Sequence, residues 1–263
     1  YFRTAGDSGL VRYGYYPHNI HFIVTSAQMA GDMTTAIHEA RRLRTTLDPE
    51  TSTKIAWIQA IDAAPFFAMA QFSAPEDILA MPAPDARLPY ARAMWHYARA
   101  VAHAMKQDRT SFDAEIGEID QLARAPALEG LAAQGMPVQD LLALAQTVAR
   151  GRFAVHAGRY DEAADIYRKA IGIESRIPYQ EPPYWYYPVR QSLGAALYLA
   201  GRHDEASQAF RDALVQSPRN GWVLYGLARS EAAQGHKLEA ASARRALSRA
   251  WHGQHDWLQM ERL

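Results

Sequence analysis

The chain has 263 residues, 49% of them hydrophobic, with 28 basic and 28 acidic side chains and no cysteine. Zero net charge without a basic run argues against a nucleic-acid binder. The lack of cysteine rules out disulfides and thiolate metal sites while fitting cytoplasm or periplasm, and no run approaches the roughly 18 unbroken apolar residues of a membrane helix or resembles a signal peptide.

Taken in chain order, the sequence opens at Tyr1 without a methionine and reads as the tail of something longer. A tyrosine-rich loop, Tyr13 to Pro17, leads into a helix pair over 19–43 with Asn19 as its N-cap. A weaker pair over 58–81 ends at the breaker Pro82, Ala83, Pro84. The third pair, 88–123, is long and amphipathic and turns near Gln107 and Asp108, and 126–135 is a linker or a short turn of helix. Pairs four to six span 139–173, 187–217 and 220–251, with a capping helix predicted in the tail to Leu263.

One spacing ties these pairs together. Gly31, Gly158, Gly201 and Gly235 are each followed five residues later by alanine: Ala36, Ala163, Ala206 and Ala240. Glycine suits a left-handed turn between antiparallel helices, and the alanine lets the second helix cross the first closely. The crossing partner, seven residues before the glycine, is small too: Gly151, Gly194 and Ala228, with Val24 giving the first unit a looser crossing. The phrase Gly-Arg-X-Asp-Glu-Ala occurs at Gly158 to Ala163 and again at Gly201 to Ala206, placing Asp161 and Asp204 where they satisfy free N–H groups and oppose the helix dipole.

Leu193, Gly194, Leu197, Gly201, Ala206, Phe210, Ala213 and Pro218 fall where the tetratricopeptide repeat family places its consensus, and Gly201 and Gly235 stand 34 residues apart, the period of that family. The chain therefore resembles a tetratricopeptide repeat protein. The resemblance implies an all-α fold, an α-α superhelix of about six helical hairpins forming one solenoid over 1–263. The phrases Tyr16 to Phe22, Pro89 to Tyr97, Pro183 to Arg190 and Gly221 to Leu227 look like the C-terminal half of a group of bacterial repeat proteins of undefined function. That likeness implies a preceding half of similar repeats rich in histidine. Four lysines among 28 basic residues also suggest a GC-rich bacterial source.

In such a solenoid the first helix of each pair lines a concave groove. The repeat register puts His18, His21, Thr25, Gln28 and Met29 there, then Tyr97 and Met105, Arg152 and His156, Gln191 and Tyr198, and finally Trp222, Tyr225 and Arg229. Aromatic and arginine side chains are the types that anchor peptides. Against this, Trp222 and Tyr225 also suit inter-repeat packing, and Arg152 and Arg229 suit a solvated face.

His18 and His21, three residues apart on one face, form a candidate pair of ligands for zinc, iron or copper, with His38, Asp32, His96 or His156 to supply a third. His96 and His103 share a face beside Trp95, which reads as a buried polar network. The proline-rich segment 177–188, with Glu181, Tyr184, Trp185, Tyr186 and Tyr187, is a lid over the groove, a contact for another copy, or a loop folded back on its own hairpins; its many aromatics favour the last. No nucleophile motif, phosphate-binding glycine loop or spaced carboxylate pair is present. The sequence thus points away from an enzyme and toward a scaffold without a cofactor, holding a protein or peptide segment or its own preceding half. A metal-binding protein or metal-dependent enzyme using His18 and His21 is the rival.

Overall fold

A computed structural model describes residues 9–263; the expectation about the first residues lies outside this range. Every regular element among the described residues is helical, and none is long and apolar enough to cross a membrane. The first hairpin joins α1 (Tyr16–Ala30) to α2 (Met33–Thr46). Four short helices follow: α3 (Pro49–Lys54), α4 (Ala56–Ile61), α5 (Ala64–Phe72) and α6 (Pro75–Leu79). Then α7 (Pro89–Met105) pairs with α8 (Arg109–Leu122), and α9 (Ala127–Ala133) leads to three further pairs. These are α10 (Val138–His156) with α11 (Tyr160–Glu174), α12 (Arg190–Leu199) with α13 (His203–Gln216), and α14 (Gly221–Ala233) with α15 (Lys237–Ala250).

The turn chemistry is as the spacing predicts. Gly31, Gly158, Gly201 and Gly235 all have left-handed backbones, with φ between 70° and 80°. At the third turn Gln107 takes the same conformation at φ 54°, where a side chain is strained. The four spaced alanines are buried. The reason for the small crossing partner is different from the one expected, however. A side chain on Gly151 would strike the ring of Tyr167 at 2.5 Å, and one on Gly194 would strike Phe210 at 2.7 Å. The crossing is filled by an aromatic ring one helical turn after the alanine.

Four local expectations are corrected. Asn19 lies inside α1 and not at its cap, because a π-helical turn, Val11–Tyr15, runs directly into a helix that starts at Tyr16 with Pro17 in its first turn. The region 58–81 is three short helices and not a hairpin; Pro65 and Pro75 each start a new helix because neither can continue an old one. The tail forms two 3-10 turns, His255–Trp257 and Met260–Arg262, and no capping helix. Asp161 and Asp204 stand within the first turns of α11 and α13 without capping them, while the side chains of Asp32, Asp108 and Asn220 do cap α2, α8 and α14.

The first and last hairpins touch. The Trp222 indole N–H donates to the Gln28 carbonyl at 2.8 Å, and the His252 N–H donates to the Ala30 carbonyl at 2.8 Å. Gly253 comes so near the Gly31 carbonyl that an added Cβ would lie 2.0 Å from its oxygen. Phe72 of α5 joins this contact through the rings of Trp222 and Trp257. The later part of the segment 177–188 folds inward, where Trp185, Tyr186 and Tyr187 are buried, while Tyr179 stays 84% exposed. Phe67 stacks on Tyr186 at 4.6 Å, and the hydroxyls of Tyr97 and Tyr186 lie 2.9 Å apart.

Candidate functional site

Most of the predicted groove residues fall into three groups. Tyr97, Arg152, Gln191 and Trp222, with Thr25 and Gln28, are buried inside the molecule and do not line an open channel. The physical reason is the inward segment and the touching terminal hairpins, which supply partners that the repeat register cannot foresee. The Gln191 side-chain carbonyl accepts from the Asn220 amide at 3.0 Å, and Asn220 in turn caps α14. Arg152 lies 5.7 Å over the ring of Tyr187, its Nε without a partner. No carboxylate among the described residues pairs with it.

The second group forms a rim. Arg229, exposed, donates to the Tyr198 hydroxyl at 3.2 Å and lies over its ring, and Tyr198 packs on His203. Tyr225 is half-buried beside them. His156 is half-buried, and its pKa falls to about 4 through burial and the nearby Arg152 and Arg262 cations.

The third group holds His18 and His21. They line a narrow cavity of about 10 Å³ together with Trp57, Glu181 and Pro182. His18 packs edge-on against Phe22 at 4.9 Å and Trp57 at 6.0 Å. His21 is buried, with Nδ1 unpartnered, and burial followed by the His18 charge lowers its pKa to about 3. Glu181 is engaged by the Tyr179 hydroxyl. No group of three His, Cys, Asp or Glu side chains among the described residues is arranged to hold a metal ion. His96 does enter a polar network: its Nδ1 lies 2.7 Å from Glu115, which also accepts from Arg99 at 2.7 Å.

A larger cavity, about 320 Å³, opens beside the buried segment. Its walls are Tyr179, Tyr184, Trp185 and Tyr187, with Met29 from α1 and Gln216 and Ser217 at the end of α13. Met29 is the groove prediction that reaches it. Glu174, the last residue of α11, is the acidic residue of its lining. One carboxyl oxygen accepts from the Val189 N–H at 3.1 Å, and the other, Oε2, has no partner. Burial raises the Glu174 pKa to about 7, only partly opposed by that N–H and by Arg190. Sequence reasoning found the aromatics and missed Glu174. At a helix end it looks like any solvated glutamate, and its burial comes from residues that fold over it from elsewhere.

Comparison with protein-family models, with curated proteins and with solved structures finds no match.

Proposed function

We propose that this chain is a binding scaffold, an α-α superhelix of the tetratricopeptide type, which holds a segment of another protein or of its own preceding half. The spaced glycines and alanines support the repeat assignment. The observation that carries the binding reading is the 320 Å³ cavity walled by four aromatic residues. Cavities of small-ligand size run from about 300 to 1,000 Å³ and are mostly apolar with few polar groups, as this one is. Binding is accordingly assigned to the cavity mouth and not to the occupied interior. The exposed apolar residues Phe22 and Ile23 of the first hairpin, with Val11 and Tyr15 of the turn before it, support a preceding repeat stacked there, since a terminal repeat normally has a polar outer face.

A random peptide library panned on the intact protein tests this. Enriched peptides whose binding is lost in Gln216→Arg, which crowds the cavity mouth, support the scaffold. No enrichment, or enrichment indifferent to that substitution, overturns it.

The second reading is a metal at His18 and His21, favoured by the unpartnered Nδ1 of His21 and by Glu181 lining the same small cavity. It requires Glu181 to leave the Tyr179 hydroxyl. Metal analysis of the purified protein decides it: a stoichiometric metal lost in His21→Ala supports this reading, and metal-free protein that stays empty with added zinc ends it.

A further inference from the structure

The segment 255–263, which follows α15, reaches three of the first helices. Its turn Met260–Arg262 packs against α12, and Met260 and Leu263 are buried. The Ser192 hydroxyl of α12 donates to the Leu263 carbonyl at 2.6 Å, and the Tyr187 hydroxyl lies 2.9 Å from it. The Glu261 and Arg262 charges act on His156 of α10, and that of Glu261 acts on Tyr225 of α14. His156 and Tyr225 are groove positions of the repeat register, and Ser192 adjoins a third, Gln191.

The segment is held as a separate peptide would be. Its turns are closed by its own bonds, from the Leu258 N–H to the His255 carbonyl at 3.0 Å and from the Leu263 N–H to the Met260 carbonyl at 3.2 Å. Among the described residues, the hydrogen bond that ties it to a helix is the one from Ser192. Two buried aliphatic side chains three residues apart do the rest, which is how short segments dock in helical grooves. The charge fit is poorer. Arg262 lies 4.0 Å over the Trp257 ring with Nε unpartnered, and its field meets that of Arg152 at His156. Neither arginine has an ion pair with a carboxylate among the described residues, and a half-buried cation without one is costly. A glutamate in place of Arg262 would turn that cost into attraction.

We propose that residues 255–263 are a self-occupant: they fill a peptide site formed by α10, α12 and α14, and an acidic partner segment with two aliphatic anchors three residues apart displaces them. The site is separate from the cavity beside Glu174, so Gln216→Arg should leave it unchanged.

Fluorescence anisotropy on the full chain tests this with a labelled peptide of the sequence 255–263 and a second carrying glutamate in place of Arg262. The tethered segment competes at an effective concentration of about 1 mM, so the parent should bind either peptide weakly. Leu263→Ser, which removes an anchor from the tethered segment alone, should bind both at least about tenfold more tightly, the glutamate peptide more tightly than the other. Adding Ser192→Ala should reduce that gain several-fold. Hydrogen exchange on the parent is the second measurement and decides the matter if Leu263→Ser unfolds: the glutamate peptide at about 1 mM should raise exchange at the Leu258 and Leu263 amides and leave α15 protected. No gain in a folded Leu263→Ser, or no peptide-dependent exchange in the parent, overturns the proposal and makes the segment a fixed part of the core. Equal binding of the two peptides overturns the acidic preference. Binding abolished by Gln216→Arg would overturn this site and support the scaffold reading at the cavity mouth.

Discussion

The hairpin of α12 with α13 and the run of short helices from α3 to α6 are held together in opposite ways. In the hairpin each structural task belongs to a named residue at a fixed spacing: Gly201 turns the chain, Ala206 lets the helices cross, and Phe210 fills the space beside Gly194. The same ring also faces Gly226 of the next hairpin, where an added Cβ would lie 2.2 Å away, so one side chain joins two hairpins. In α5, by contrast, seven of nine residues are buried. It has no polar face and no turn signal, and it persists because α2 and α7 pack around it. A packed helical unit can be encoded by local spacing, or it can be imposed by surrounding burial.

The sharpest way to break this comparison is to remove one aromatic from each region. Phe210→Ala should cost about 3–5 kcal/mol in urea unfolding, and Phe67→Ala about the same. Their consequences should differ. Phe67 contacts Tyr97, Trp185 and Tyr186, so its loss should raise hydrogen exchange throughout 177–188, whereas Phe210→Ala should loosen the junction of α12, α13 and α14. Equal protection of 177–188 in both variants would erase the distinction.

Glycine substitutions sharpen it at lower cost. Gly226→Ala should destabilise by about 1–3 kcal/mol by pressing on Phe210. Gly117→Ala meets no atom within 4 Å and should be neutral or stabilising by about 0.5–1 kcal/mol, both read as shifts in the urea midpoint. A smaller effect separates the turns. Gly201→Ala should lose about 1 kcal/mol and Gln107→Gly should gain a comparable amount, since both act on a left-handed residue. A Gln107→Gly variant less stable than the parent would show that the bond from its amide to the His156 carbonyl outweighs the backbone strain.

The last expected effect is pH-dependent. Glu174 binds its proton more tightly folded, to about pH 7, than at its ordinary value of 4.5. Its contribution is therefore complete below the ordinary value and is lost as pH rises through about 7. Glu174→Gln should be level with the parent at about pH 4 and more stable than it at about pH 8, by urea unfolding at each pH. Asp62, raised to about 7 by burial, acts in the same direction, while His21, lowered to about 3, removes stability as pH falls below 6.5. A Glu174→Gln variant with an unchanged pH profile would place that carboxyl in open solvent.

Much of the fold was legible because its signals are short-range. The four glycine turns, the substitute turn at Gln107 and the burial of the spaced alanines follow from steric limits acting within a few residues. The burial of Trp185, Tyr186 and Tyr187 was legible for a different reason: together they carry too much apolar area to remain in water. The site was less legible. The repeat register placed Tyr97, Arg152, Gln191 and Trp222 in a groove, but a register describes one repeat and its neighbours, and these side chains are covered by distant parts of the chain. Trp222 meets Gln28 across 194 residues of sequence.

By itself, then, the amino-acid order determined that helices form, where most of them turn and which small residues let them cross. Those are contests between nearby atoms, settled by backbone sterics and side-chain volume. Only the tertiary structure decided that the terminal hairpins touch, that the interior is occupied and that Glu174 becomes a partly buried, half-satisfied acid at the edge of an aromatic cavity. Burial depends on which distant surfaces meet, and hydrogen bonds and pKa values follow from burial.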